Sequence, residues 1–207
     1  MALDTYANLK AEIKDHLDRS DLTDDTVDTL IDLAEARHKR TPSEGGIRIR
    51  DMIVRAQSSV SSRYVALPSD FLEMISYRLL TDPVTVLTEL SPYEMTRHRD
   101  ESTGTPKYFT VHEEVEFDRS PDSALTSEML YYKTLTPLSS NDTTNALLDR
   151  APDVYLYGAL MAAEPFLMND ERIQMWASLY QRAADGVNGV DRRRAGPLAA
   201  RPEGAVV

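Results

Sequence analysis

The sequence predicts an α+β fold in which two pairs of helices flank a small antiparallel β module. Both ends of the chain carry apolar residues at three- and four-residue spacing, which is typical of amphipathic helices. The middle instead holds short runs of strand-favouring residues separated by turn residues. Because one helical pair alone would leave an apolar face uncovered, we expect the two pairs to pack together as a four-helix body.

The first helical pair is predicted within residues 1–45. A polar turn around Leu22 separates its helices, and Thr23 or Asp24 suits the N-cap of the second helix. That helix should end before Thr41-Pro42, because the residue before a proline avoids helical geometry. The acidic run DRSDLTDD lacks the central glycine and closing glutamate of an EF-hand, so its acids are interpreted as caps and solvated charge. The two apolar faces are Leu3, Tyr6, Leu9, Ile13 and Leu17, then Val27, Leu30, Ile31, Ala34 and His38.

The β module is predicted between residues 46 and 144. Gly45-Gly46 marks its start, because paired glycines break helices and strands, and Ser91-Pro92 favours the cap and first turn of one short helix. The polar segment Pro137–Asn145 returns the chain to helix. The strand-favouring segments are Phe71–Leu80, Val84–Leu90, Lys107–Val111, Val115–Phe117 and Ser127–Leu135.

A closing helical hairpin is predicted at residues 145–194. Pro152 suits a first helical turn and Asp153 favours the positive helix start. Pro165 should end or kink that helix, and Asn169 can cap the next one. The predicted apolar faces are Val154, Tyr157, Leu160 and Met161, then Ile173, Trp176, Tyr180, Ala183, Val187 and Val190.

The chain ends in a segment, AGPLAARPEGAVV at residues 195–207, that holds too little patterned apolar content to fold alone. It is expected to be a flexible, extended tail. The basic cluster Arg192–Arg194 precedes it. This cluster fits both a helix C-terminus, where positive charge is favourable, and contact with phosphate or an acidic partner.

The amino-acid composition limits the classes of function that are possible. The net charge of −11 argues against a broad nucleic-acid-binding surface, although an acidic wall would suit DNA that slides past without binding. There is no cysteine, so disulfides, thiolate metal sites and thiol nucleophiles are excluded, which fits assembly in a reducing cytoplasm. We expect no signal peptide and no membrane span, because no apolar segment is long enough.

Nothing in the residue pattern predicts catalysis. His16, His38, His98 and His112 are scattered, and no nucleophile elbow, phosphate loop or dinucleotide fingerprint is present. On a strand, His112 would share one side with Glu114 and Glu116, a set that fits either a metal site or an exposed polar face. We therefore expect no catalytic, cofactor-binding or metal-ligating residues.

Several stretches, taken in order, resemble the adaptor proteins of tailed bacteriophages, also called head-to-tail connectors. They run from the N-terminus to about Arg194, nearly the whole chain. The stretches are ALDTYANLKAEIKDHLDRSDLTD, LIDLAEAR, YVALPSDFLEMISYRL, PKYFTV, LYYKTLTPLS and PDVYLYGALMAAEPFLMNDERIQMWASLYQRA.

The resemblance implies a non-enzymatic virion protein at the head–tail interface, assembled in the host cytoplasm. Such proteins form a ring, typically of twelve copies, beneath the portal protein. The ring extends the channel for genomic DNA, which passes without sequence-specific binding, and provides the platform for the tail or the next connector. By this analogy the helices form the ring body and the β module faces the tail side or peripheral partners. The residues expected to dock on the portal are Arg192, Arg193, Arg194, Ala195, Gly196, Pro197, Leu198 and Arg201.

Two alternatives from other classes stay open at this point. A soluble protein-binding module would bind a partner through its tail and remain monomeric beside a portal. A small metal-dependent hydrolase built around His112 would show bound metal or activity.

Overall fold

The computed structural model describes residues 3–19, 21–163 and 171–194, with side chains described up to residue 189. The chain is α+β and divides into two compact units. The helical unit comprises Met1–Asp51 and Leu135–Val207, and the β unit comprises Met52–Thr134.

Six α-helices and eight strands occur among the described residues. The helices are α1 (Tyr6–Leu17), α2 (Asp24–His38), α3 (Pro92–His98), α4 (Ala146–Arg150), α5 (Pro152–Ala162) and α6 (Arg172–Arg194), with 3-10 turns at Pro42–Glu44 and Arg50–Met52. The strands are β1 (Ile53–Val60), β2 (Tyr64–Ala66), β3 (Phe71–Leu79), β4 (Thr85–Val86), β5 (Thr88–Glu89), β6 (Tyr108–Val111), β7 (Glu114–Phe117) and β8 (Leu125–Lys133).

The helices begin where side chains satisfy free backbone N–H groups. Thr5 caps α1, Thr23 caps α2 and Asn145 caps α4, each accepting hydrogen bonds from the first turn. Pro152 opens α5, where its missing N–H costs nothing. The predicted caps at Thr23 and at Ser91, which heads a capping box for α3, are confirmed.

Helix α5 is the centre of the helical unit. It packs against α1, α2, α4 and α6. Gly158 permits the closest approach, since a Cβ there would lie 3.1 Å from Ala34 and 3.2 Å from Tyr180. A larger residue at this position would push α2 and α6 apart, so the glycine sets the spacing of the unit.

Some of the residues that α5 and α6 bury differ from those predicted to form their apolar faces. Tyr155 is buried in α5, whereas Tyr157, predicted to face the core, is only half-buried. In α6 the buried positions include Ala184 and Asn188 in place of Ala183 and Val187. The burial predicted for Val154, Leu160, Ile173, Trp176 and Tyr180 is confirmed. The predictions for Tyr157, Met161, Ala183 and Val187 were wrong, because α5 has neighbours on several sides and because Asn188 finds polar partners inside the unit. Pro165, Asn169, the tail and the side chain of Val190 lie outside the described residues.

Two four-stranded sheets build the β unit. The strand orders are β1-β8-β3-β4 and β2-β7-β6-β5. Most neighbours pair antiparallel, but β5 pairs parallel with β6, contrary to the prediction of an all-antiparallel module. The intervening segment, which contains α3, is long enough to carry the chain across the sheet and make this parallel pairing possible.

One apolar core fills the space between the two sheets. Tyr77 of β3 lies 5.6 Å from Phe109 of β6 and 5.4 Å from Phe117 of β7, measured between ring centroids. Its hydroxyl lies 3.0 Å from that of Ser127 on β8, so its polar end is also satisfied. Burying such a ring stabilises the fold by roughly 1.5–3 kcal/mol.

Candidate interaction surfaces

The residues predicted to dock on the portal lie at the end of α6 and beyond it. The last turn of α6 contains Arg192–Arg194, whose backbone alone is described. The predicted docking residues outside the described part of the chain are Ala195, Gly196, Pro197, Leu198 and Arg201. The described base of this surface is therefore the C-terminal half of α6.

Two side chains of α6 anchor this half to the loop that follows α2. The buried Asn188 donates from Nδ2 to the carbonyl oxygen of Gly46 (2.9 Å) and accepts the N–H of Arg48 at Oδ1 (2.8 Å). Tyr180 donates from its hydroxyl to the carbonyl oxygen of Gly45. Each hydrogen bond is buried or partly buried, so losing one partner would leave a polar group unsatisfied.

The glycine pair makes this anchor possible. Gly45 adopts a positive φ of 83°, and a Cβ on Gly46 would lie 1.8 Å from the carbonyl oxygen of Arg40. A side chain at either position would strain the loop or clash with backbone. The glycines were recognisable from the sequence as breakers of helices and strands, whereas Asn188 was not, because its only signal is a polar residue near an apolar stripe.

A second buried polar group holds the segment that returns from the β unit. Glu35 of α2 accepts the N–H of Leu138 at 2.8 Å and the hydroxyl of Tyr155 at 3.2 Å. Asn145 in turn donates from Nδ2 to the Tyr155 oxygen at 2.7 Å. Burial raises the pKa of the Glu35 carboxyl above its usual value, against the opposing effect of these hydrogen bonds. The arrangement orients backbone and helix starts, which is a structural role.

His38 lies beside this group but does not act with it. Its ring contacts that of Tyr155 edge-on at 4.8 Å and stacks on Tyr180 at 6.4 Å. Burial, together with the charge of the neighbouring Arg37, lowers the pKa of its imidazole to about 3. The ring is therefore neutral at physiological pH and serves as a packing element.

The histidine suggested as a metal ligand sits in a turn, not on a strand face. His112 lies between β6 and β7, 3.5 Å from a carboxylate oxygen of Glu116. Glu116 also lies 3.5 Å from Arg99 and from the hydroxyl of Tyr64. In the described part of the chain, no three histidine or acidic side chains cluster closely enough to hold a metal ion. These are polar contacts at the surface of the β unit.

Among the described helices, none combines the length and apolar character needed to span a bilayer. The buried polar side chains described above hold loops and helices in place. These observations describe an α+β protein whose described buried polar side chains have structural roles.

The model of the SU10 adaptor protein family matches residues 4–201, and the chain belongs to this family of phage head–tail adaptors. No curated protein matches the chain. Family membership makes the chain a structural adaptor of the phage virion, and the expected resemblance is confirmed.

Proposed function

We propose that the chain forms the adaptor ring between head and tail, typically of twelve copies, and docks beneath the portal. The observation that carries this proposal is the family match over residues 4–201, which includes the predicted docking residues. The ring extends the DNA channel and presents a platform to the tail or the next connector. Assembly takes place in the host cytoplasm, and the finished ring remains in the virion.

Within this proposal, α1, α2, α5 and α6 form the ring body as a four-helix arrangement. The packing of α5 against the other three helices supports it, because one rigid unit can be repeated around an axis without deformation. The β unit faces the tail side or peripheral partners. Its own complete core supports this role, since a unit with its own core can present a surface without help from its neighbours.

The tail reaches the portal from the end of α6. The hydrogen bonds of Asn188 and Tyr180 support this role by fixing the base from which the docking residues continue. A segment that cannot fold alone orders when it binds, and its arginines can pair with acidic groups on the portal.

The channel wall does not hold DNA. The net charge of −11 per subunit supports this, because a negative wall repels phosphate and lets the genome pass. No sequence-specific contact with bases is involved.

Mass photometry of the purified protein, alone and mixed with the portal from the same genome, tests the proposal. We expect a portal-dependent mass increase of about twelve subunits of 23.3 kDa each. A protein that remains monomeric beside the portal at every salt concentration would contradict the adaptor ring and favour a protein-binding module.

A further inference from the structure

A surface groove of about 440 Å³ lies between α5 and α6. Its lining includes Tyr157 of α5 and Leu179, Ala183 and Val187 of α6, all of them half-buried. Gly186 leaves it open, because no atom lies within 4 Å of the position that a Cβ would take. We name these five residues the α5–α6 groove.

These helices carry more apolar residues at core-facing spacing than the subunit buries. Tyr157, Ala183 and Val187 occupy helix positions whose spacing predicts burial, yet all three remain half-exposed in the groove. In α6 the core takes Ala184 and Asn188 instead. An apolar stripe that a subunit leaves open is expected to be covered in an assembly.

A matching projection occurs on α2. Leu33 is 49% exposed, although it is a large apolar residue. Thr29 and Ala36, which lie one turn before and after it on the same face, are exposed and carry short side chains. The side chain of Leu33 therefore projects beyond those of its neighbours on the helix, so it can enter a groove.

The charges beside the projection and the groove are complementary. Asp32 is exposed next to Leu33, and the groove carries the exposed Arg182 on its α6 side and the exposed Asp153 on its α5 side. Across the described residues, neither Asp32 nor Arg182 forms an ion pair, so both charges are available for a contact. Attraction to Arg182 and repulsion from Asp153 favour one orientation, with Asp32 on the α6 side.

We propose that Leu33 of one subunit enters the α5–α6 groove of the next, with Asp32 facing Arg182. The projection and the groove share no residue, so the contact is heterologous, and repeating it closes a ring when the rotation permits. Subunits of net charge −11 repel one another, so an opposite charge where they touch favours the contact. This inference rests on the proposed adaptor ring and names the surface that joins its copies.

The absence of cysteine from the chain permits a clean cross-linking test. Leu33→Cys and Gly186→Cys place one thiol each on the projection and in the groove, both at positions with room for a side chain. Each variant, alone and in an equimolar mixture, is assembled on the portal and treated with a short bis-maleimide. We expect cross-linked dimers only in the mixture. A double variant that carries both Leu33→Cys and Gly186→Cys, assembled in the same way, should give a ladder of higher multimers.

The outcomes separate this inference from the proposed function. Portal-bound rings that form normally but give no cross-link in the mixture overturn the contact and leave the adaptor function standing. Cross-links within Leu33→Cys alone, or from Gly186→Cys to the portal, also overturn it, because they place a different partner on these surfaces. Failure of the unmodified protein to assemble on the portal overturns both.

A second variant tests the groove without thiol chemistry. Gly186→Leu fills the groove and replaces a weak helix former with a strong one, so the subunit should stay folded. We expect it to lower the portal-bound fraction by about tenfold or more, the scale of a central interface residue. The matched control, Ser178→Leu, adds the same side chain at an exposed position of α6 outside the groove and should bind normally. Normal assembly of Gly186→Leu contradicts the proposal.

Discussion

At the scale of single residues, three polar side chains are buried in the described part of the helical unit: Glu35, His38 and Asn188. Glu35 and Asn188 have backbone partners that justify their burial. His38 differs, because no hydrogen-bond partner of its Nε2 atom is present among the described residues. The helical unit should therefore respond to protonation at His38.

Replacing His38 with leucine should reduce the acid sensitivity of the fold. The pKa of His38 is about 3 in the folded chain against 6.5 for an ordinary histidine. Below pH 6.5 the unfolded state therefore binds a proton that the folded state does not, and stability is lost as the pH falls towards 3. Each pH unit in that window costs about 1.4 kcal/mol. Between pH 7.5 and pH 5, urea unfolding should show a loss in the unmodified protein about 2 kcal/mol larger than in His38→Leu.

The exposed His98 provides the control, since His98→Gln should follow the unmodified protein at both pH values. Glu35 acts in the opposite direction, because its raised pKa favours the folded state as the pH falls, but it is common to all three proteins and cancels in the comparison. Equal pH dependence in His38→Leu and the unmodified protein would mean that the imidazole is charged or hydrated in the fold.

Replacing Asn188 with alanine should loosen the end of α6. The change removes the bond to Gly46 and leaves the N–H of Arg48 without its acceptor, which should lower the free energy of unfolding by about 1–3 kcal/mol. Gln181→Ala, at an exposed position of the same helix, should shift it by no more than about 0.5 kcal/mol. Chemical denaturation of both variants measures the difference, and similar values would show that the anchor is unimportant.

At the scale of elements, residue spacing predicted where helices occur better than which side they bury. The caps at Thr23 and Ser91 and the proline at Pro152 are local signals, readable because their effect lies within a few residues. The burial of Tyr155 instead of Tyr157 depends on where the other helices lie, and spacing does not contain that information.

The candidate surfaces divide in the same way. The basic cluster and the tail could be identified from the composition of the sequence. The α5–α6 groove and the exposed Leu33 could be identified only from the exposure of side chains in the structure. The short helix α4 was missed as well, because five residues are too few for a periodic signal.

Removing the tail, Ala195–Val207, should separate docking from folding. The subunit should keep its circular dichroism spectrum and melting temperature, because the sequence of the tail holds too little patterned apolar content to contribute to a core. Portal binding, measured by mass photometry, should be lost. As a control, deletion of Glu203–Val207 retains all the predicted docking residues and should leave binding intact. Normal docking without Ala195–Val207 would assign the portal contact to another surface.

At the scale of the whole molecule, two units with separate cores alternate along the chain. The β unit interrupts the helical unit once, and its ends meet, because Ile53 and Tyr132 are direct partners in the β1–β8 pairing. Their Cα atoms are therefore only about 5 Å apart. The chain therefore leaves the helical unit and returns to it at neighbouring points.

Replacing residues 53–133 with a short glycine–serine linker should leave the helical unit folded. Such a linker spans the gap at small entropic cost, and the main contacts of α5 lie with other helices of the unit. Circular dichroism should show a predominantly helical protein with a cooperative thermal transition. As a complementary control, the excised Met52–Thr134 segment should give a near-ultraviolet signal from its packed tyrosines. A helical unit that fails to fold would reveal a dependence on the β unit.

The side-by-side pairing of Ile53 with Tyr132 has a further consequence for the evolution of such proteins. A segment whose first and last residues lie side by side can be replaced by another without changing the path of the rest of the chain. Recombination between phages can then replace the β unit while the helical scaffold stays constant. The same junction would accept a foreign domain, so a fluorescent or electron-dense label placed there would mark each subunit of an intact particle.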